Sequence, residues 1–180
     1  MNDLHWHRLT PRFARERPEI LSLITEFEPL DHPAGHHAAS FLRDLALRNH
    51  GSTITHLLVG PTRIEGFVAT TFTDIKLTDE QSAGLGVPHR RELPAFRLAW
   101  IAKHRDTDVS GMSLLFTVFT LAHDALSLGG VVALTVDPFD ADVATTWLSE
   151  PYAFIASKEK PRGDGVPRGL WLPVSRSADD

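Results

Sequence analysis

The run AFRLAWIAK, residues 95–103, carries apolar side chains at successive rather than alternate positions, as expected of a strand covered on both faces. It leads, after the short stretch HRDTDV, into a helical stripe from Ser110. There Leu114, Leu115, Val118, Phe119, Leu121, Ala122 and Leu126 recur on one face over about five turns, and LGG closes the stripe. The β-branched run VVALTVDP follows directly. A strand without a polar face cannot lie on the wet side of a sheet, so helices must cover it from both sides.

The flanking sequence supplies further elements. LHWHRLT alternates as a half-buried strand that Pro11 ends, and a helix begins near Pro18 with Ile20, Leu21, Leu23, Ile24 and Phe27 on its stripe. A second helix carries Ala38, Phe41, Leu42, Leu45 and Ala46 and stops near Asn49 and Gly51. ITHLLVG and GFVATTFTDIKL around PTRIEG read as a hairpin, and TDEQSAGLGVPHRRELP as a loop or a brief helix. ADVATTWLS is a short helix capped in its Asp region, YAFIAS a strand, and GLWLPVS a last strand after the Pro- and Gly-rich KPRGDGVPRG. The fold class is therefore α/β (α+β), with a mixed sheet covered by helices on both faces. No repeat or long linker divides the chain, so residues 1–175 are expected to form one domain and 176–180 a frayed tail.

Composition narrows the function classes. No run reaches the roughly 20 apolar residues of a membrane span, and the N-terminus lacks a secretion-signal pattern, which together predict a cytoplasmic protein. The chain has no cysteine, which excludes disulfides, thiolate metal sites and a cysteine nucleophile. A net charge of −5 disfavours a surface that coats nucleic acid, although PHRRELP is a local basic stretch. Ten histidines stand out. Asp31, His32, His36 and His37, with His5 and His7 at strand spacing, raise the idea of a metal site, but His36 and His37 point to different sides of a helix and no supporting partner is evident, so no metal is expected.

The order of elements, with FLRDLALRNHGSTITHLLVG, RIEGFVATTFTDIKL, ELPAFRLAWIAKHRD, GGVVALTVDPFDADVATTWL and GLWLPVS, resembles the GCN5-related N-acetyltransferases, and within them the acetyltransferase toxins of bacterial toxin–antitoxin pairs. The resemblance covers nearly the whole chain. It implies a mostly antiparallel sheet splayed between its fourth and fifth strands, with acetyl-CoA lying against LAWIA and its pyrophosphate on the loop that opens the long helix. The implied cofactor residues are Ile101, Ala102 and Lys103 on the strand, the displaced Arg105, and Val109, Ser110, Gly111, Met112 and Ser113 at the helix start. Free amides and the helix dipole make such a start an anion site.

The loop pattern of that family, R/Q-x-x-G-x-G/A, is only partly kept, since Asp106 takes its first position, Val109 its first glycine and Gly111 its second. A left-handed backbone at the β-branched Val109 would cost about 1–3 kcal/mol. Carboxylates of Asp106 and Asp108 about 6 Å from a phosphate would each oppose it by roughly 0.7 kcal/mol in water and nearer 3 kcal/mol at an effective dielectric of 20. The alternative is a plain capped loop, with Asp108 or Ser110 accepting from helix amides and Arg105 paired to a carboxylate.

The family's catalytic tyrosine motif is also altered. Trp147 and Leu148 stand at its Phe-Tyr positions, which leaves Tyr152, the one tyrosine of the chain, as the candidate acid on the strand YAF. A core-edge tyrosine is the other reading of Tyr152. His104 or Glu65 could act as base for a substrate amine if within reach. The resemblance thus implies acetyl transfer from acetyl-CoA to a primary amine, for the toxins the aminoacyl group of charged tRNA, with an antitoxin-like protein or a homodimer as partner. The readings set against it are a catalytically inactive relative that binds a protein, and a binder or transferase for another small ligand in the same cleft.

Overall fold

A computed structural model describes residues 4–85, 92–127 and 133–174. The described strands form one seven-stranded sheet in the order β1-β2-β3-β4-β5-β7-β6. Strands β1 (His5–Leu9), β2 (Ile54–Val59), β3 (Ile64–Lys76), β4 (Glu92–Lys103), β5 (Ala133–Val136), β6 (Ile155–Ala156) and β7 (Leu170–Pro173) are joined through α1 (Pro11–Glu16), α2 (Glu19–Thr25), α3 (Pro33–Asp44), α4 (Asp79–Gly84), α5 (Gly111–Ser127) and α6 (Ala141–Leu148). The pairs β1–β2, β2–β3, β5–β7 and β6–β7 are antiparallel and β4–β5 is parallel. The β4–β5 ladder runs only from Ala95↔Ala133 to Leu98↔Val136, whereas β4 itself continues to Lys103.

The chain divides into two interleaved compact units, Met1–Thr71 with Ala99–Val118, and Phe72–Leu98 with Phe119–Asp180. In the first, the stripes of α1, α2 and α3 meet Leu57, Phe67 and Ala69 of the β2–β3 hairpin in one buried cluster. Phe27 stands edge-on to Phe67 at 5.6 Å, and Phe41 stacks on Trp100 at 5.4 Å. Alternation puts Gly66 on the opposite face from Phe67. A Cβ there would lie 2.9 Å from Leu114 Cδ1 and 3.1 Å from the Ala102 carbonyl oxygen, so the missing side chain is what lets α5 seat on β3. Within this unit, helices therefore cover both sheet faces.

The second unit has its own apolar cluster, with Ile75 and Leu77 of β3, Leu93 and Ala95 of β4, Ala133 of β5 and Trp171 of β7. Its short α4 is the brief helix foreseen after β3, closed by a reciprocal capping box between Thr78 and Gln81. Asp140 caps α6 through the Val143 amide at 2.8 Å.

Two local expectations are overturned. Pro11 does not merely end β1; it is the first residue of an additional helix, because Thr10 accepts from the Phe13 amide at 3.0 Å and proline suits a position whose N–H needs no partner. YAFIAS is not a continuous strand. The Tyr152 and Ala153 amides donate to Ser149 O and the Phe154 amide to Trp147 O, so three successive N–H groups are taken by the end of α6 and only Ile155–Ala156 remain to pair with β7. The LGG stop of α5, the stretch Pro88 to Arg91 and the terminal tail lie outside the described residues.

Candidate functional site

The chain leaves β4 under tight backbone control. His104 N donates to Glu65 O at 2.8 Å and Arg105 N to Glu28 O at 2.9 Å, so the strand end is held from both sides. Side chains then shape the turn: Asp106 N donates to His104 Nδ1 at 3.2 Å and Val109 N to Thr107 Oγ1 at 3.2 Å. Ser110 opens α5, accepting from Ser113 N on its hydroxyl at 3.1 Å and from Leu114 N on its carbonyl at 3.4 Å.

With those donors engaged, the amides of Gly111 and Met112 have no protein acceptor among the described residues. They head a helix of 17 residues, where unpaired N–H groups and the macrodipole favour an anion. A Cβ on Gly111 would meet nothing within 4 Å, so that residue's side is open. Positive φ among the described residues occurs only at Ala153 and Gly165, so Val109 takes a backbone that its branched side chain accepts and the feared strain does not arise. Asp106 and Asp108 are both exposed. Their opposition to an anion therefore belongs to the aqueous end of the range, on the order of 0.7 kcal/mol each.

The cations of the loop are already engaged. Lys103 Nζ donates to Val109 O at 3.2 Å. Arg105 pairs with Glu28, a residue 77 positions away. Arg105 and Ser110 thus behave as in the capped-loop reading, while Gly111 and Met112 keep the donors an anion would need. Ile101 is half-buried, and Ala102 packs against the core of the first unit.

Two residues that sequence reasoning missed hold this turn. Arg63 Nε donates to both carboxylate oxygens of Glu65, at 3.1 and 3.2 Å, and its Nη2 donates to Asp106 O at 2.8 Å. Arg63 sits in the bend just before β3, two residues from Glu65 on the strand. Glu28 had no local signal at all. Glu65, buried and gripped by Arg63, is a strut rather than a base. The hydrogen-bond pattern assigns His104 the tautomer with its proton on Nε2, because Nδ1 accepts from Asp106 N; neither ring nitrogen then offers a lone pair to a substrate amine.

Tyr152 lies in the second unit, in the turn after α6 rather than on a strand, and is half-buried. Its ring leans on Trp147 at 5.2 Å, and Trp147 also meets Phe154 at 5.1 Å. The Tyr152 hydroxyl has no hydrogen-bond partner among the described residues. Leu148 is exposed. Among the histidines, His36 Nε2 meets Asp31 at 3.1 Å and His7 stacks on Phe13 at 5.0 Å. No group of three or more His, Asp or Glu side chains that could hold a metal occurs among the described residues.

No family model and no curated protein matches this chain. Solved structures do. A tyrosine-to-phenylalanine mutant of KacT aligns with TM-score 0.72 and 16% identity over 95% of each chain. AtaT in complex with acetyl-methionyl-tRNAfMet aligns with TM-score 0.70 and 15% identity over 95% of each chain. AtaTR bound with acetyl-CoA aligns with TM-score 0.65 and 15% identity, over 96% of this chain and 94% of the other. This chain shares its fold with KacT and with the toxin AtaT.

Proposed function

We propose that this protein is a toxin-like N-acetyltransferase that transfers acetyl from acetyl-CoA to a primary amine in the cytoplasm, the aminoacyl group of charged tRNA being the favoured acceptor. The observation that carries this reading is the pair of unpartnered amides, Gly111 and Met112, at the head of α5 directly after a strand that outruns its parallel neighbour. In this reading Gly111, Met112 and the capped Ser110–Ser113 turn receive the pyrophosphate, with Lys103 and Arg105 close by in sequence, and Ile101, Ala102 and Val109 line the approach. Acetyl-CoA, when bound, supplies a thioester whose carbonyl carbon the amine attacks. Tyr152 is then the acid, and its hydroxyl gives a proton to the departing sulfur. The acceptor amine arrives neutral and loses its proton to water, since His104 Nδ1 is taken by the Asp106 amide and Glu65 is buried against Arg63. The structural neighbours whose names include acetyl-CoA, an antitoxin and an acetylated aminoacyl-tRNA support the choice of partners.

Thermal unfolding with acetyl-CoA tests the binding step. A ligand at 100 times its dissociation constant stabilises the fold by about 2.7 kcal/mol, which for a chain of this size raises the melting temperature by roughly 5–10 °C. No shift at millimolar acetyl-CoA removes the proposal. If binding is found, Tyr152→Phe should lower thiol release with an amine acceptor by about 100-fold or more while leaving the thermal shift unchanged.

The second reading, an inactive relative that binds an antitoxin-like protein or a second copy of itself, draws on one observation. Arg105 is committed to Glu28 and so withheld from a phosphate. It predicts no acetyl-CoA shift in either wild type or Glu28→Gln, whereas under the transferase reading that variant frees Arg105 and tightens binding.

A further inference from the structure

The second unit contains a groove unrelated to the loop at α5. It lies on the sheet where β3, β4, β5 and β7 run side by side and encloses about 140 Å³, on the order of ten times the room that one water needs. Its wall carries three cations, Lys76, Arg97 and Arg168, and three carboxylates, Asp74, Asp137 and Glu159. A groove so balanced suits neither a polyanion, which would meet the carboxylates, nor a bare amine, which would meet the cations. Two of its cations are already matched: Arg97 pairs with Asp137, and Lys76 with Glu92 at 3.7 Å. Arg168, Asp74 and Glu159 form no salt bridge among the described residues.

Thr135 provides a second, independent pointer. It lines the groove, is only 6% exposed, and its hydroxyl has no hydrogen-bond partner among the described residues. Next to it in register, Arg97 keeps a buried Nε–H that also lacks an acceptor. Buried polar groups are normally satisfied, and leaving one unpaired costs about 1–3 kcal/mol. Burial also raises the Asp137 carboxyl above its ordinary value, against the pull of Arg97. An acceptor is thus wanted over the buried Arg97 Nε–H, beside the open Thr135 hydroxyl, with the Arg168 guanidinium and the Asp74 and Glu159 carboxylates around them.

We propose that this groove binds a small zwitterion of amino-acid size, its carboxylate met by Arg168 and the Arg97 Nε–H and its ammonium by Glu159 and Asp74, with Thr135 contributing its hydroxyl. The site stands on the second unit alone and does not depend on acetyl transfer.

Calorimetric titration of the full chain with the standard amino acids and glycylglycine tests it. At least one should bind saturably with a dissociation constant in the millimolar range or tighter. Blocking that ligand's amine by acetylation or its carboxylate by amidation should each weaken binding roughly tenfold or more, the scale of one charge-assisted hydrogen bond. Glu159→Gln and Arg168→Gln, both at exposed positions, should do the same with an unchanged melting temperature, and Thr135→Val should weaken binding by a smaller factor. Absence of saturable binding across the set overturns the proposal, and so does binding that survives both charge-removing variants.

Discussion

His56 shows how much one side chain can report. It sits on β2 opposite Arg8, its Nδ1 is buried without a partner, and burial first and the Arg8 charge second push its pKa below the ordinary 6.5. The neutral ring is therefore the form the fold prefers, whereas the unfolded chain takes up a proton near 6.5. Between these two pKa values the unfolded state binds more protons, so stability is fully present above about pH 6.5 and falls as pH drops through the folded-state pKa. The denaturant midpoint should decline from pH 7 to pH 5, and His56→Gln should flatten that slope; a slope unchanged by the substitution would assign it to other groups. Gly66 is the second informative residue. Gly66→Ala sets a methyl against the Ala102 carbonyl and Leu114, and is expected to destabilise by about 1–3 kcal/mol in chemical denaturation. The pattern of the sequence could not announce this, because a glycine in a strand reads alike whether it marks a bulge or a close approach.

Among the elements, those with a repeating period or a clear cap were legible, while α1 and the end of the strand at Tyr152 were not. α5 carries enough repeats of one period to overrule local noise, β4 is a long apolar run, and the hairpin is a pair of β-branched runs around a turn. α1 escaped because six residues hold less than two full turns, and its evidence is the Thr10–Pro11 junction rather than a stripe. The strand expected at Tyr152 failed for the opposite reason: an apolar run at strand length was claimed by the hydrogen bonds that close α6. At the head of α5, Ser110 is the cap, and Ser110→Ala should cost about 1 kcal/mol, read as a lower melting temperature.

For the whole molecule, the order of apolar periods by itself determined the class of fold: helices on a mixed sheet, with a buried fourth strand leading into a long helix. Periodicity is a local property, and burial of each apolar face against another leaves few layered solutions. The sequence also contained the identities of the loop residues, including the departures at Asp106, Val109 and Tyr152. Only the tertiary structure decided what those departures do. Whether Val109 is strained depends on the φ it takes, and whether Arg105 is free depends on Glu28, 77 positions away. The grip of Arg63 on Asp106 and the charge balance around Thr135 likewise join segments far apart in the chain. Such contacts arise from which strands lie side by side, a relation that no window along the sequence contains.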